Sequence, residues 1–168
     1  EVLRKIADAA AAKTSGRDAL DQKIGHYYAA CMDDKAIAAK GAIPLKTNLD
    51  RIAALRDKAG ITDVVAALYA TGVRPFFYFG SAPDSKNSTQ VIADLDQGGI
   101  QLPDRDYYLK TDERSIQLRD QYAAHVGKMF ELSGVKPEDA VRKAAAVLAI
   151  ETQLARGSLD RVSRRDPE

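Results

Sequence analysis

Apolar residues recur at steps of three and four in six separate stretches of this chain, and only between Arg74 and Leu95 does the period change. A period near 3.6 puts such residues on one face of a helix. Helices are therefore predicted over Glu1 to about Lys13, Asp18 to about Asp34, Leu45 to about Lys58, Ile61 to about Ala70, Asp112 to about Ser133, and Pro137 to about Arg156. In the first, Val2, Leu3, Ile6 and Ala9-Ala10 make the stripe, and Thr14-Ser15-Gly16 ends it. In the second, Leu20, Ile24, Tyr27-Tyr28 and Cys31 share a face, which predicts a largely buried thiol. Thr62 or Asp63 is expected near the N-cap of the fourth. Leu118, Tyr122, Val126, Met129 and Phe130 line the fifth; Val141, Ala144, Val147-Leu148, Ile150 and Leu154 line the sixth. Pro137 suits a first turn, and Gly134 and Gly157 are stop signals.

Between the fourth and fifth helices the pattern becomes that of strands. Arg74 to Ser81, "RPFFYFGS", is aromatic and apolar, and Thr89 to Leu95, "TQVIADL", alternates. The linker Ala82 to Ser88 is rich in turn formers, so the two make an antiparallel hairpin. Phe76 and Tyr78 point opposite to Phe77 and Phe79, which makes both faces apolar. Such a hairpin is either covered on both sides or paired with a strand outside this chain. The fold class is mainly α: a multi-helix domain with one inserted antiparallel β-hairpin. The 168 residues, 45% of them hydrophobic, are enough for a packed core.

Charge and composition exclude several functions. The net charge of +1 provides no field for nucleic acid or an anionic membrane. Arg156, Arg161, Arg164 and Arg165 cluster near the end, but Asp160 and Asp166 interleave and no aromatic residue is there to stack on bases. That segment reads as solvated or ion-paired. One cysteine and two histidines cannot form an internal disulfide or a zinc site from Cys and His alone. His26 and His125 fit no H-E-x-x-H and read as surface or capping residues. Ser85 and Ser88 have no nearby base, Asn87-Ser88-Thr89 matches a glycosylation pattern common by chance, and Gly98-Gly99 lacks the context of a phosphate loop. No apolar run approaches the roughly 20 residues that cross a bilayer. Both ends read as cuts in a longer protein.

The most concentrated chemistry lies in Leu102 to Leu109, "LPDRDYYL". Pro103 fixes the entry, Asp104 and Asp106 flank Arg105, and Tyr107 and Tyr108 combine apolar bodies with polar ends. The forked Arg105 guanidinium can pair with a carboxylate or bind carbonyls. A polar plug at the hairpin-to-helix junction, with Arg105 held by carboxylates, is favoured over substrate contact by Arg105.

"YYAACMD" (Tyr27 to Asp33), "PDSKNST" (Pro83 to Thr89), "LDQGGIQLPDRDYYL" (Leu95 to Leu109) and "RRDP" (Arg164 to Pro167) together resemble the neprilysin-like zinc metallopeptidases, in order and in separation. The resemblance implies a two-domain endopeptidase of which residues 1–168 are part of the N-terminal, mostly helical domain that closes over a chamber for peptides. The family's H-E-x-x-H and its downstream glutamate ligand would lie in a catalytic domain absent from this chain, and a substrate-binding arginine stretch would lie just before Glu1. No catalytic, metal or substrate residue is carried over, so zinc belongs to the parent and none to this segment. Peptide substrates and the missing catalytic domain are the implied partners. The implied location is periplasmic, secreted or extracytoplasmic on a membrane tether. Cys31 matches a family cysteine that pairs with a partner in the later half; a small buried hydrophobe is the other reading of that position. Asp104, Arg105, Asp106 and Cys31 are thus expected to be structural. A non-enzymatic helical binding or scaffold protein is the alternative.

Overall fold

The computed structural model describes residues 1–12, 15–16 and 18–165, so Lys13 and Thr14 of the first predicted helix end, and Asp166 and Pro167 of "RRDP", lie outside the described residues. The chain divides into two compact units, residues 1–47 and 48–168.

In the first unit, α1 (Val2–Ala12) packs on α2 (Ala19–Cys31). Size does not decide which face is used. Ala10 and Gly25 are the buried residues, whereas Val2, Leu3, Ile6, Leu20 and Tyr27 of the expected stripes are exposed. Small residues let two helix backbones approach closely, so an alanine and a glycine form the seam. Asp18 caps α2 by accepting from the Asp21 amide at 2.7 Å. The helix stops at Cys31, short of the expected Asp34, because Asp33 accepts from the Ala36 amide at 2.9 Å and starts α3 (Asp34–Lys40). Cys31 therefore ends a helix and is exposed, which corrects the expectation of a buried thiol.

A 3-10 turn, Ile43–Leu45, leads into α4 (Lys46–Ala53), which also ends early. Downstream, the Asp57 carboxylate accepts from the Ala59 and Gly60 amides at 3.0 and 3.3 Å and turns the chain into α5 (Ile61–Ala70). Gly60 is the N-cap of α5, and Thr62 and Asp63 lie close behind it in the first turn. The hairpin pairs β1 (Phe77–Pro83) with β2 (Val91–Gln97), from Phe77 opposite Gln97 to Pro83 opposite Val91. Both strands lie further along the chain than expected because the turn itself does. Asp84 accepts from the Lys86 amide and Asn87 from the Thr89 amide and hydroxyl, which leaves Ala82 and Pro83 in the strand.

The rest of the second unit is built on α7 (Glu113–Leu132) packed against α8 (Pro137–Gly157), with the single turn α6 (Asp106–Leu109) on both. Asp112 caps α7, accepting from the Ser115 amide at 3.0 Å and its hydroxyl at 2.7 Å. A Cβ at Gly127 of α7 would stand 3.9 Å from the Ala144 Cβ, so the helices meet across small residues here too. On α8 the buried line is Ala140, Ala144, Glu151 and Ala155, while Val141 and Ile150 of the expected stripe are exposed. The core is Leu102, Tyr108 and Ala155, ringed by Ile100, Tyr107, Leu109, Leu118, Tyr122 and Leu148. Much of "LPDRDYYL" is thus core.

The hairpin is joined to this core by Gly99, at φ +76°. A Cβ there would lie 2.8 Å from both the Phe76 Cα and carbonyl oxygen and 2.9 Å from the Leu154 Cδ1. Both the left-handed backbone and the rigid neighbours require glycine. Gly99→Ala is expected to cost about 2–4 kcal/mol by urea denaturation, adding backbone strain to overpacking. Gly134→Ala, at φ +92° in open space, should lower stability clearly less.

Candidate functional site

A carboxylate stands at the centre of the second unit. Glu151 is 6% exposed, its Oε2 accepting from the Tyr108 hydroxyl at 2.6 Å and its Oε1 from the Tyr122 hydroxyl at 2.8 Å. The Tyr108 oxygen in turn accepts from the Gln101 and Leu102 amides at 3.0 and 2.9 Å. One phenol thus joins α6, α8 and the backbone leaving the hairpin. Burial, then the bond to Glu151, pushes both phenols well above the ordinary tyrosine range. They stay protonated as donors.

A second layer holds the segment that follows α8. The Gln97 side chain donates to the Leu159 carbonyl at 3.1 Å and accepts from the Leu159 amide at 2.7 Å. Arg105 donates through Nη1 to the Ser158 carbonyl at 2.6 Å. The Arg161 Nε meets the Asp104 Oδ2 at 2.5 Å, and Arg164 pairs with Asp96. Each of these acidic residues also accepts a local amide: Asp104 from Asp106 at 2.9 Å and Asp96 from Gln97 at 2.8 Å. The Asp106 amide and Arg161 hold the Asp104 carboxyl below the usual range; Arg164, with the Gln97 amide in support, does so for Asp96. From α7, Arg119 caps the end of α6 by donating to the Tyr107 and Lys110 carbonyls at 2.8 and 2.9 Å.

The expected site residues fall as follows. Arg105 binds a carbonyl, and its buried Nε has no hydrogen-bond partner. The flanking carboxylates do not hold it, because Asp104 is engaged by Arg161 and Asp106 by Lys110 at 3.1 Å. Cys31 belongs to the first unit. His26 and His125 are exposed. Unanticipated were Glu151, Tyr122, Gln97 and Arg119. The signal for Glu151 was its place among Ala144, Leu148 and Ala155 at steps of three and four.

Chemically this is a clasp. A cavity of about 200 Å³ lies beside it, lined by Gln97, Leu102, Asp104, Arg105, Ser158 and Arg161. No serine or cysteine there is paired with a base. Among the described residues no group of three or more His, Cys, Asp or Glu could hold a metal ion, so they do not fit a zinc site. No described helix is long and apolar enough to cross a membrane.

Tyr108→Phe would strip Glu151 and two backbone amides of one partner, and urea denaturation should show a loss of about 2–4 kcal/mol. Tyr122→Phe, which removes one bond, should cost about half as much. The lowered Asp96 and Asp104 values also fix a pH dependence. Their stabilising contribution is complete above the unfolded carboxylate value near 4 and is lost as pH falls through the lower folded values. Hydrogen exchange of residues 158–165, corrected for intrinsic rates, should be flat from about pH 7 to 5 and rise below about pH 4.

Comparison with known proteins places the whole of this architecture. The model of peptidase family M13 matches residues 1–168. Endothelin-converting enzyme 1 of Mus musculus is 32% identical over 99% of this chain, which covers 22% of that protein. Neprilysin-3 of Drosophila melanogaster is 27% identical over 94% of the chain, covering 21% of it. Among solved structures, the zinc metalloprotease Zmp1 of Mycobacterium tuberculosis in complex with inhibitor superposes with a TM-score of 0.85 at 31% identity; the match covers 98% of this chain and 25% of Zmp1. The chain therefore spans about a quarter or less of the proteins it matches.

Proposed function

Because the chain belongs to the neprilysin-like metallopeptidases of family M13, we propose that it is the N-terminal part of a zinc-dependent metalloendopeptidase that hydrolyses peptides. The observation that carries this reading is the likeness to a zinc metalloprotease over 98% of this chain at 31% identity. Residues 1–168 form part of a mostly helical domain that encloses the substrate chamber, and the hydrolytic residues lie in a catalytic domain elsewhere in the parent. Zinc held there would supply Lewis acidity for the attack of water on the peptide bond, with a glutamate as base.

The role of this segment is to hold shape. Asp104 and Arg105 clasp the segment after α8, and Asp106 steadies α6 through Lys110. Peptides and the catalytic domain are its partners, and the near-neutral charge gives nucleic acid no purchase. The parent works in a periplasmic, secreted or membrane-tethered extracytoplasmic setting. There the exposed Cys31 thiol is open to pairing with a cysteine in the later half of the parent.

The full-length parent should cleave a fluorogenic peptide, lose that activity to a chelator and recover it with zinc, while residues 1–168 alone cleave nothing. Chelator-sensitive cleavage by the 168-residue chain, or a full-length parent that is inert with zinc, would overturn the proposal.

A further inference from the structure

One face of the hairpin is covered only at its Phe77 end, where the Tyr69 ring of α5 lies 5.5 Å from the Phe77 ring. Phe79 stands opposite Leu95 and Pro83 opposite Val91, so these four side chains share a face with Phe77, Ser81, Ala93 and Gln97. Phe77, Phe79, Leu95 and Val91 are 38, 54, 67 and 71% exposed. No residue of this face carries a charge, because Asp94 and Asp96 point to the other side. On the other side Tyr78, Gly80, Ala82, Asp94 and Asp96 are half-buried and Ile92 is 46% exposed. The stretch of Phe79, Val91 and Leu95 is thus the most exposed apolar part of the hairpin.

A two-stranded hairpin is marginal in water, and uncharged aromatic and branched side chains across both strands favour burial. What covers them follows from the size of the proteins that share this fold. Zmp1 carries it within a chain of which these residues are 25%, and endothelin-converting enzyme 1 within one of which they are 22%. Chain tethered to the hairpin competes at an effective concentration that a second copy or a free peptide does not reach.

We propose that the Phe79, Val91 and Leu95 face is a docking surface for apolar side chains from the remaining part of the same parent chain. This rests on the reading that the chain is part of a longer peptidase. The face is an internal seam of the parent; it adjoins the clasp at Gln97, and Phe79, Val91 and Leu95 lie further along the strands.

Hydroxyl-radical footprinting of the full-length parent tests it without any substitution. Phe79 and Leu95 should be oxidised roughly tenfold more slowly in the native parent than in the same protein unfolded in urea, at every protein concentration and with no peptide added. Leu95→Asp should lower the melting temperature of the parent by roughly 4 °C or more. Oxidation of both residues at the unfolded rate in the native parent overturns the proposal. So does protection that appears only as the parent dimerises, or only when peptide is added. Zinc-dependent cleavage is measured on the same preparation. A parent that cleaves with this face bare sinks the docking surface alone, and one that protects the face without cleaving sinks the peptidase reading alone.

Discussion

The Glu151 carboxylate, buried on α8 and held by two tyrosine hydroxyls, is the contact on which the second unit depends. A carboxylate taken out of water is costly unless its oxygens are satisfied, and here each oxygen receives a phenolic proton. The requirement runs outward from there. Tyr108 must reach Glu151, so α6 must lie against α8; the Tyr108 oxygen must also take the Gln101 and Leu102 amides, so the chain leaving the hairpin is fixed in turn. Apolar packing of Leu102, Tyr108 and Ala155 alone would tolerate sliding. The directional bonds do not.

Around this centre the clasp is arranged by increasing exposure. The phenol and carboxylate bonds are innermost, the Asp104 carboxylate keeps 12% of its side-chain exposure, and Arg161 and Arg164 reach in from solvent. Surface ion pairs of this kind contribute little on their own. They keep one geometry here because the carboxylates are already oriented by the Asp106 and Gln97 amides, so each arginine meets a fixed acceptor.

How far the sequence could be read depended on the kind of signal. The long helices α7 and α8 and the hairpin were legible because their periods persist over many residues. Element ends were not, since Asp33, Asp57 and Asp84 decide them through single side-chain bonds that compete with the backbone. The buried faces of α1 and α8 were read in part: Ala10 and Ala144 of the expected stripes are buried, while Val2, Leu3, Ile6, Val141 and Ile150 are exposed. Gly25 on α2 and Ala140 on α8, too small to stand out in an apolar pattern, complete the seams. At the clasp, "LPDRDYYL" stood out by composition, but its partners lie 43 residues away at Glu151 and 53 residues away at Ser158. Nothing local in a sequence marks a pairing over that distance.

The way the segment after α8 is held has a consequence for how freely it can change. Gln97 engages both backbone groups of Leu159, and Arg105 engages the backbone carbonyl of Ser158. Both read the main chain and ignore what the side chains are. Substitution at Leu159 can therefore proceed without moving the exit of the chain, while Gln97 and Arg105 carry the demand for chemical identity there. Only further on, at Arg161 and Arg164, does the guided segment have to supply side chains of its own.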